Sequence, residues 1–356
     1  MKSSSRLPLL AWRCVLSMVL ATMSSPSTAQ DPHFSQYYNT PQAINPALTG
    51  VFDGSARFAN TYRSQWTGIG EGYKTIYFSA EAMLARKRID NKFFGAGLMF
   101  YQDKAGAVNF KKTIIEGALS YTTAIDEKAG HWISFGVQGG LDQLSVDMSK
   151  ATWDEQWNGN NFDPTIASTE TINLPSFSYP DIQFGAHYFY VPDGFNSFSA
   201  GMSVSHLLKP NISFFPPNTE NLYLRKLTVH SSADISLDRE HERFFNPRLL
   251  AQIQGNQKQI MLGGYLRNKV RMKSIYTNYQ KEAFVDFGAF YRLQESIIAT
   301  VRFNYYNFGV GFSYDIGNGK LSRLATANTW EITLNYIPGI PRGERKYGIQ
   351  KLPRFF

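Results

Sequence analysis

The chain is poor in cysteine, in charge and in long apolar runs. Cys14 is the single cysteine of its 356 residues, and it lies in an N-terminal stretch that we expect to be removed. The remaining chain therefore excludes a disulfide framework and a thiolate metal site. No apolar run approaches the roughly 20 residues that a membrane-spanning helix needs. No dense basic cluster interleaved with aromatics is present either, which argues against a nucleic-acid partner.

Aromatic residues are plentiful. They make up 15% of the chain, with 20 Tyr and 27 Phe, although charged residues make up only 18% and the mean hydropathy is slightly negative at −0.29. This combination is typical of an outer-membrane β-barrel, in which alternation of apolar and polar side chains dilutes the apolar signal.

The first 29 residues have the composition of a signal peptide. Lys2, Arg6 and Arg13 precede a short apolar stretch, CVLSMVLATM, and Ser27-Thr28-Ala29 supplies small residues for cleavage. We expect residues 1–29 to direct export into the envelope of a Gram-negative bacterium, with an uncleaved anchor as the alternative. Without the three basic residues, the charge falls from +8 to a mild +5.

Alternation with a period of two residues is clearest near the C-terminus. In SIIATVRFNYYN, Ile297, Val301 and Phe303 fall on one face, and Thr300 and Arg302 fall on the other. Successive side chains of a strand point to opposite sides, so this pattern predicts one apolar and one polar face. The same pattern is present in FGVGFSYD (308–315) and TWEITLNY (329–336).

Applied to the whole chain, the same rule predicts an all-β fold, a transmembrane antiparallel barrel of about 14 strands over residues 54–337. An even number of strands closes the barrel and leaves both ends of the chain on the periplasmic side. Twelve or sixteen strands are alternatives. The predicted strands begin near Ser55, Lys74, Phe93, Asn109, His131, Asp181, Ser197, Lys226, Pro247, Gln259, Ala283, Ser296, Phe308 and Thr329.

Counting from a periplasmic N-terminus assigns each connection to a side. The long connections 148–180 and 208–224 fall outside the cell, and the short ones at 126–130 and 191–194 fall inside, which is the usual asymmetry. The connection 268–282 is an exception because it is long and basic yet should be periplasmic. Either the flanking strands extend beyond the membrane or the strand count slips there.

Short motifs in order along residues 30–337 resemble the PorP/SprF family of outer-membrane proteins, which is tied to type IX secretion and gliding. The opening DPHFSQY (31–37) with NPA (45–47) resembles the N-terminal signature of the family. The other matching elements are YRSQW (62–66), GAG (95–97), QDKAG (102–106), SFGVQGG (134–140), YPDI (179–182), GVGFSYD (309–315) and TWEITLNY (329–336).

The resemblance implies a barrel without enzymatic activity that anchors or links an exported surface protein to the secretion machinery. It implies outer-membrane lipids, periplasmic lipoproteins or ring components, and an exported adhesin as partners. We expect the basic tail 338–356, with Arg342, Arg345 and Lys346, and the connection 268–282 to contact the periplasmic partners. The outer connections 148–180 and 208–224 are the expected cargo surface.

The segment 30–53 has too little periodicity for a strand or helix. A barrel of this size has a lumen wider than its own side chains fill, so we expect the segment to fold inward as a plug or to lie across the periplasmic mouth. Docking of a periplasmic protein is the alternative role. The residues expected to make these contacts are Phe34, Gln36, Tyr37, Tyr38, Asn45 and Pro46.

No catalytic, cofactor-binding or metal site is predicted. The six histidines are scattered, without metal-ligand spacing or a nucleophile motif. In the outer connection, Trp153 and Trp157 lie beside acidic residues, a composition that fits sugar stacking, weak Ca²⁺ binding, internal packing or protein contact.

The side chains expected to face the lumen mix acids with bases, which favours an ion-paired interior over a charged conduit. They are Glu81, Glu116, Gln138, Asp234, Asp286, Arg292, Arg302, Asp315 and Glu331.

The competing functional class is a porin or transporter for small or hydrophobic solutes. A continuous polar lumen would favour transport, whereas a lumen blocked by Gln30–Gly50 would favour the partner role.

Overall fold

The computed structural model describes most of the chain after the leader. The chain divides into two units, Met1–Asp31 and Pro32–Phe356, and the second contains the barrel. Among the described residues, no helix is long and apolar enough to cross a membrane. The predicted signal peptide 1–29 and tail residues Arg342, Arg345 and Lys346 lie outside the described residues. The described residues are 31, 33–66, 71–84, 91–126, 130–163, 165–166, 175–193, 195–214, 221–271, 282–318 and 329–338.

Fourteen antiparallel strands form one closed barrel, in which each strand pairs with its neighbours in sequence and β1 pairs with β14. The predicted fold class and strand number are confirmed. The strands are β1 (Ala56–Gln65), β2 (Tyr73–Leu84), β3 (Lys92–Ala105), β4 (Phe110–Ala124), β5 (His131–Ser145), β6 (Ser176–Tyr190), β7 (Ser197–Ser205), β8 (Lys226–Ser236), β9 (Arg243–Gln254), β10 (Gln257–Arg271), β11 (Ala283–Arg292), β12 (Ser296–Tyr305), β13 (Phe308–Gly317) and β14 (Thr329–Tyr336).

Two strands begin earlier than the sequence pattern predicts. The pattern starts β6 at Asp181 and β9 at Pro247, but the strands begin at Ser176 and Arg243. Each contains a proline, Pro180 or Pro247, and proline is normally excluded from strand interiors because it lacks the N–H that a ladder needs. The prolines therefore masked the first residues of both strands.

Burial alternates along the strands in the opposite sense to that of a soluble protein. The outward positions are apolar, and Leu98, Leu119 and Phe287 are 65%, 61% and 59% exposed. The inward positions are polar, and all nine side chains expected to face the lumen are buried. An apolar outer wall around a polar interior is the arrangement of a membrane barrel.

The two ends of the barrel differ. At the terminal end, where β1 begins and β14 ends, lie the connections after the even-numbered strands. At the opposite loop end lie the long connections 146–175 and 206–225. Of the basic connection predicted at 268–282, residues 272–281 lie outside the described residues. β10 continues to Arg271 and β11 begins at Ala283, so the strand lengthens and the strand count does not slip.

The lumen contains the chain's own N-terminal residues, which we call the lumen segment (33–53). It is built from two 3₁₀ turns, Tyr37–Asn39 and Pro46–Leu48, around a one-turn helix, Pro41–Ile44. Its first residue lies beside Glu295 in the β11–β12 turn at the loop end. Just beyond its last residue, the Ser55 N–H donates to the Pro338 carbonyl at the terminal end. The segment therefore traverses the whole lumen.

The burial pattern predicts the effect of a charge on the outer wall. Leu119→Arg places a guanidinium near mid-strand against hydrocarbon, and we expect it to lower the free energy of unfolding by about 2–4 kcal/mol. Leu208→Arg, in a loop-end connection, is the control and should change it by less than about 0.5 kcal/mol. Urea titration in lipid vesicles measures both, and equal costs would contradict the membrane placement of the wall.

Candidate functional site in the barrel lumen

At the loop end, wall carboxylates hold the start of the lumen segment. The backbone N–H of Ser35 donates to Glu331 Oε2, and that of Gln36 donates to Glu331 Oε1, each at 2.9 Å. The Ser35 hydroxyl donates to Asp315 at 2.7 Å. Hydrogen bonds to ionised carboxylates are stronger than neutral ones, so this contact fixes the backbone of the segment to β13 and β14.

Two arginines balance these carboxylates. Arg63 lies 3.6 Å from Asp315 and 3.5 Å from Glu331, and Arg292 lies 3.2 Å from Asp315. Both guanidiniums also donate to the Ser35 hydroxyl, at 2.7 and 3.2 Å. Buried charges are tolerated only when paired and hydrogen-bonded, so the two bases and two acids form one neutral cluster around Ser35.

A further ion-pairing contact lies at the mouth of the loop end. His33 Nε2 is 3.4 Å from Glu295, and Arg292 donates to the same carboxylate at 2.9 Å. Burial alone would raise the pKa of Glu295, but the His33 hydrogen bond and the neighbouring positive charges give a net lowering. Burial and the Arg292 charge lower the pKa of His33. Glu295 is therefore ionised where the segment enters the lumen.

Amides continue the contact down β14. Asn39 donates to the Thr333 hydroxyl at 3.0 Å and accepts from the Asn335 amide at 3.0 Å. Gln36 accepts from the Thr333 hydroxyl at 3.1 Å. These bonds follow inward positions of a single strand, so the segment runs alongside β14 toward the terminal end.

Aromatic side chains fill the middle of the lumen. Phe34 packs edge-on against Tyr77 and Tyr101, with ring centroids 5.6 and 6.0 Å away. Tyr38 stacks on Phe290 at 5.8 Å. The Arg248 guanidinium lies 4.9 Å from the centre of the Tyr38 ring. Such contacts contribute about 0.5–1.5 kcal/mol each beyond burial, so the aromatics fix the segment across the lumen as the carboxylates fix its start.

Asn45 reaches the opposite wall. Its amide nitrogen donates to the carbonyls of Ala186 and Met202, at 3.0 and 3.2 Å, and lies 3.1 Å from His230 Nε2. Its side-chain oxygen accepts from the Ala47 N–H at 2.9 Å and caps the following 3₁₀ turn. One side chain therefore contacts β6, β7 and β8.

At the terminal end, Glu81 repeats the role of Glu331. It accepts from the Gly50 N–H at 2.8 Å and from Arg57 Nε at 2.8 Å, and Arg57 also donates to the Leu48 carbonyl at 3.3 Å. Arg57, Glu81 and Gly50 are buried. A charged pair thus holds each end of the segment.

Glycines of the inner wall make room for the segment. A Cβ at these positions would collide with backbone or side-chain atoms of residues 36–50, which excludes any larger residue without a shift of the segment. They are Gly95, Gly97, Gly136, Gly185 and Gly311.

The family model for the type IX secretion system membrane protein PorP/SprF matches residues 27–336. The chain belongs to the PorP/SprF family. The resemblance carried by the sequence motifs is thereby confirmed, and the matched span of this PorP/SprF chain covers the lumen segment and the whole barrel. No curated protein sequence matches the chain.

Solved barrels are similar to this PorP/SprF chain at low identity. The toluene transporter TodX of Pseudomonas putida is 9% identical, covering 86% of this chain and 93% of that one, with a TM-score of 0.44. The monoaromatic hydrocarbon channel CymD is 8% identical, covering 85% and 93%, with a TM-score of 0.47. BamA of Haemophilus ducreyi lacking POTRA domains 1–3 is 10% identical, covering 80% and 70%, with a TM-score of 0.40.

The structure brings the six residues predicted in the lumen segment together and places both tryptophans elsewhere. Phe34, Gln36, Tyr37, Tyr38, Asn45 and Pro46 all lie inside the barrel, although a plugging or docking role stays a prediction. Trp153 and Trp157 flank a 3₁₀ turn, and Trp157 packs edge-on against Phe162 at 5.1 Å. Among the described residues, no group of three or more His, Cys, Asp or Glu could hold a metal ion.

Arg57 and Arg63 were not among the side chains predicted to face the lumen, although the sequence carries the signal for both. Both occupy inward-facing positions of β1, and the same alternation predicted the inward-facing Glu81 on β2 and Glu331 on β14. Four of the inner-wall glycines, Gly95, Gly97, Gly136 and Gly311, belong to the family motifs, and Gly185 does not. Their spatial role could not be read from one strand, because the atoms that exclude a side chain belong to the lumen segment.

The packing of these glycines can be tested directly. Gly136→Val forces a side chain into Pro46 and Ala47, and we expect it to lower the free energy of unfolding by about 1–3 kcal/mol and to produce ion-conducting openings. Gly117→Val is the matched control, because a Cβ there points outward and makes only ordinary contacts, with Leu98 at 3.7 Å and the Gly97 carbonyl oxygen at 3.9 Å. Planar-bilayer recording of both variants measures the effect. A Gly136→Val barrel as closed as Gly117→Val would show that the segment does not obstruct the lumen.

Proposed function

We propose that this chain is an outer-membrane component of the type IX secretion apparatus that holds an exported surface protein at its loop end and contacts periplasmic machinery at its terminal end. The barrel acts as an anchor without enzymatic activity, exported by way of the leader 1–29. The observation that carries the proposal is the lumen segment, which crosses the full length of the barrel and is held by buried charges at both ends.

A filled lumen favours an anchor over a conduit. Passage of a solute would require release of the segment from Glu331 at one end and Glu81 at the other, and both carboxylates bind backbone N–H groups. Breaking a buried hydrogen-bonded charge pair costs several kcal/mol. The closed state is therefore the resting state of the barrel.

The loop end has the features of a protein-binding surface. Apolar side chains remain exposed there beyond the wall, and they are Trp157, Phe162, Leu208 and Leu222. Beneath them, a cluster of Leu144, Tyr179 and Tyr223 packs with Phe177 and Phe214 and ties the connection 206–225 to the strand ends. Exposed apolar side chains on an ordered support are typical of interaction sites, so this end suits an exported adhesin.

The terminal end carries the proposed periplasmic contacts. We expect the basic residues of the tail 338–356, including Arg342, Arg345 and Lys346, and of the connection 268–282 to supply positive charge on the side of the barrel where β1 begins and β14 ends. Lipoproteins or ring components with acidic surfaces fit this charge.

Conductance distinguishes the anchor from the competing porin or transporter. We expect the full-length barrel to show no steady conductance in planar bilayers, because the lumen segment excludes water along its path. Deletion of 34–46 should produce large, steady channels, since it removes the aromatic and amide contacts but leaves the wall intact. Large steady conductance of the unmodified barrel would contradict the anchor.

Site-specific crosslinking tests the two binding ends. We expect a photoreactive benzoylphenylalanine at Trp157 to crosslink an exported surface protein in the native envelope, because Trp157 is exposed at the loop end. The matched position is Asp193 in the β6–β7 turn at the terminal end, which is also exposed and should capture periplasmic proteins instead. Mass spectrometry identifies the products, and exported protein on Asp193 in place of Trp157 would reverse the proposed orientation.

A further inference from the structure

The lipid-facing wall has a recess across β8 to β11. Its floor is one register row of small residues: Gly264 pairs with Pro247 on one side and with Ala289 on the other, and Ala233 on β8 completes the row. Larger side chains of the neighbouring rows form its sides, and they are Phe245, Leu249, Leu262, Leu266 and Phe287. The recess has a volume of about 1100 Å³, and its lining is mainly apolar.

The strand ladder is interrupted at the floor of this recess. Pairing between β8 and β9 passes from Ser232 opposite Arg248 to Ile235 opposite Phe245, without pairs between them. Pro247 lies in this gap and has no N–H to donate. The side chains of Asn246 and Asp234 hydrogen-bond to each other on the inner side. The strand ladder is therefore interrupted at a position where small residues line the outer face.

A small cavity lies directly behind the interruption, between the wall and the lumen segment. Ser199, Ser231, Ser232 and Arg248 line both this inner cavity and the outer recess. The inner cavity has a volume of about 30 Å³. A cavity needs about 10–15 Å³ of such space to hold one water molecule, so this one admits a group of a few atoms, such as a carboxylate, but not a sugar or a phospholipid headgroup.

Polar groups at the inner cavity suit an anion. Tyr37 lines it and is 5% exposed, and its hydroxyl has no hydrogen-bond partner among the described residues. The Arg248 guanidinium lines it as well and donates to the Tyr265 hydroxyl at 2.7 Å.

The surrounding charge is positive. Three guanidiniums, of Arg248, Arg267 and Arg302, lie 4.6–5.7 Å from the Tyr265 ring. Asp286 is shared by Arg267 and Arg302. Asp234, the other nearby carboxylate, accepts from Ser197 and Asn246. Among the described residues, three guanidiniums lie near two carboxylates here, so this part of the lumen carries a net positive charge.

We propose that this recess binds a long-chain fatty acid. Its alkyl chain lies along the small-residue row, where it takes the place of bilayer lipid, and its carboxylate passes the β8–β9 interruption to Arg248 and the Tyr37 hydroxyl. The recess supplies an apolar surface open to the bilayer, the arginine supplies the charge, and the inner cavity limits the headgroup to a carboxylate. The site does not rest on the proposed secretion role.

Photolabelling of the full-length barrel in phosphatidylcholine vesicles tests the chain site. The probe is palmitate with a diazirine at its terminal carbon, and we expect saturable labelling on β8–β11 that unlabelled palmitate competes. Ala233→Trp fills the row and should reduce labelling about tenfold. Ala96→Trp, on the outer face of β3, should leave it unchanged. Labelling spread evenly around the wall, or equal in both variants, would mean that the recess only contacts bulk lipid.

A second comparison tests the headgroup. In the unmodified barrel, palmitate should compete about tenfold better than hexadecanol, which has the same chain without the charge. In the Arg248→Gln variant this preference for palmitate should vanish, and hexadecanol should compete as well as it does in the unmodified barrel. Equal competition by the two in the unmodified barrel would overturn the assignment of the carboxylate. Heat-modifiable migration on SDS gels confirms that each variant is folded, and Ala289→Trp fills the same row if Ala233→Trp does not fold.

Discussion

Closure of the strand ring is the constraint on which this structure depends. Hydrocarbon offers no hydrogen bonds, so each backbone group of the wall needs a partner strand. The seam between β1 and β14, from Phe58 opposite Tyr336 to Gln65 opposite Thr329, completes the ring. An even strand number, strand ends on one side and an apolar outer face follow from it. A polar inner face follows from it as well, and its side chains must find hydrogen-bond and charge partners within the barrel.

The lumen segment supplies partners for the side chains of that inner face. Fourteen strands enclose more space than their own side chains fill, and the charges Arg63, Asp315 and Glu331 would be exposed to a wet channel if nothing entered it. Instead, backbone N–H groups of the segment meet the carboxylates, and aromatic side chains meet the middle of the wall. The same contacts therefore complete the polar interior and hold the segment across the lumen.

Much of this could be predicted from the sequence, because alternation along a strand is a local property. The inward phase identified Glu81, Asp286 and Glu331 without knowledge of their partners. Where local rules conflict, prediction was less accurate, because Pro180 and Pro247 hid the first residues of β6 and β9. The low charge and high aromatic content favoured a membrane barrel for the same reason, since they reflect the composition of each face and need no knowledge of pairing.

The sequence by itself determined the class of fold and the face that each strand turns to hydrocarbon, and it favoured about 14 strands over the alternatives of twelve or sixteen. Only the tertiary structure decided the path of the lumen segment, the grouping of Arg63 and Arg292 around Ser35, and the row that joins Ala233, Pro247, Gly264 and Ala289. The physical reason is that these features depend on register between strands and on contacts across the lumen, between residues up to about 300 positions apart. A pattern of period two carries no information about such distances.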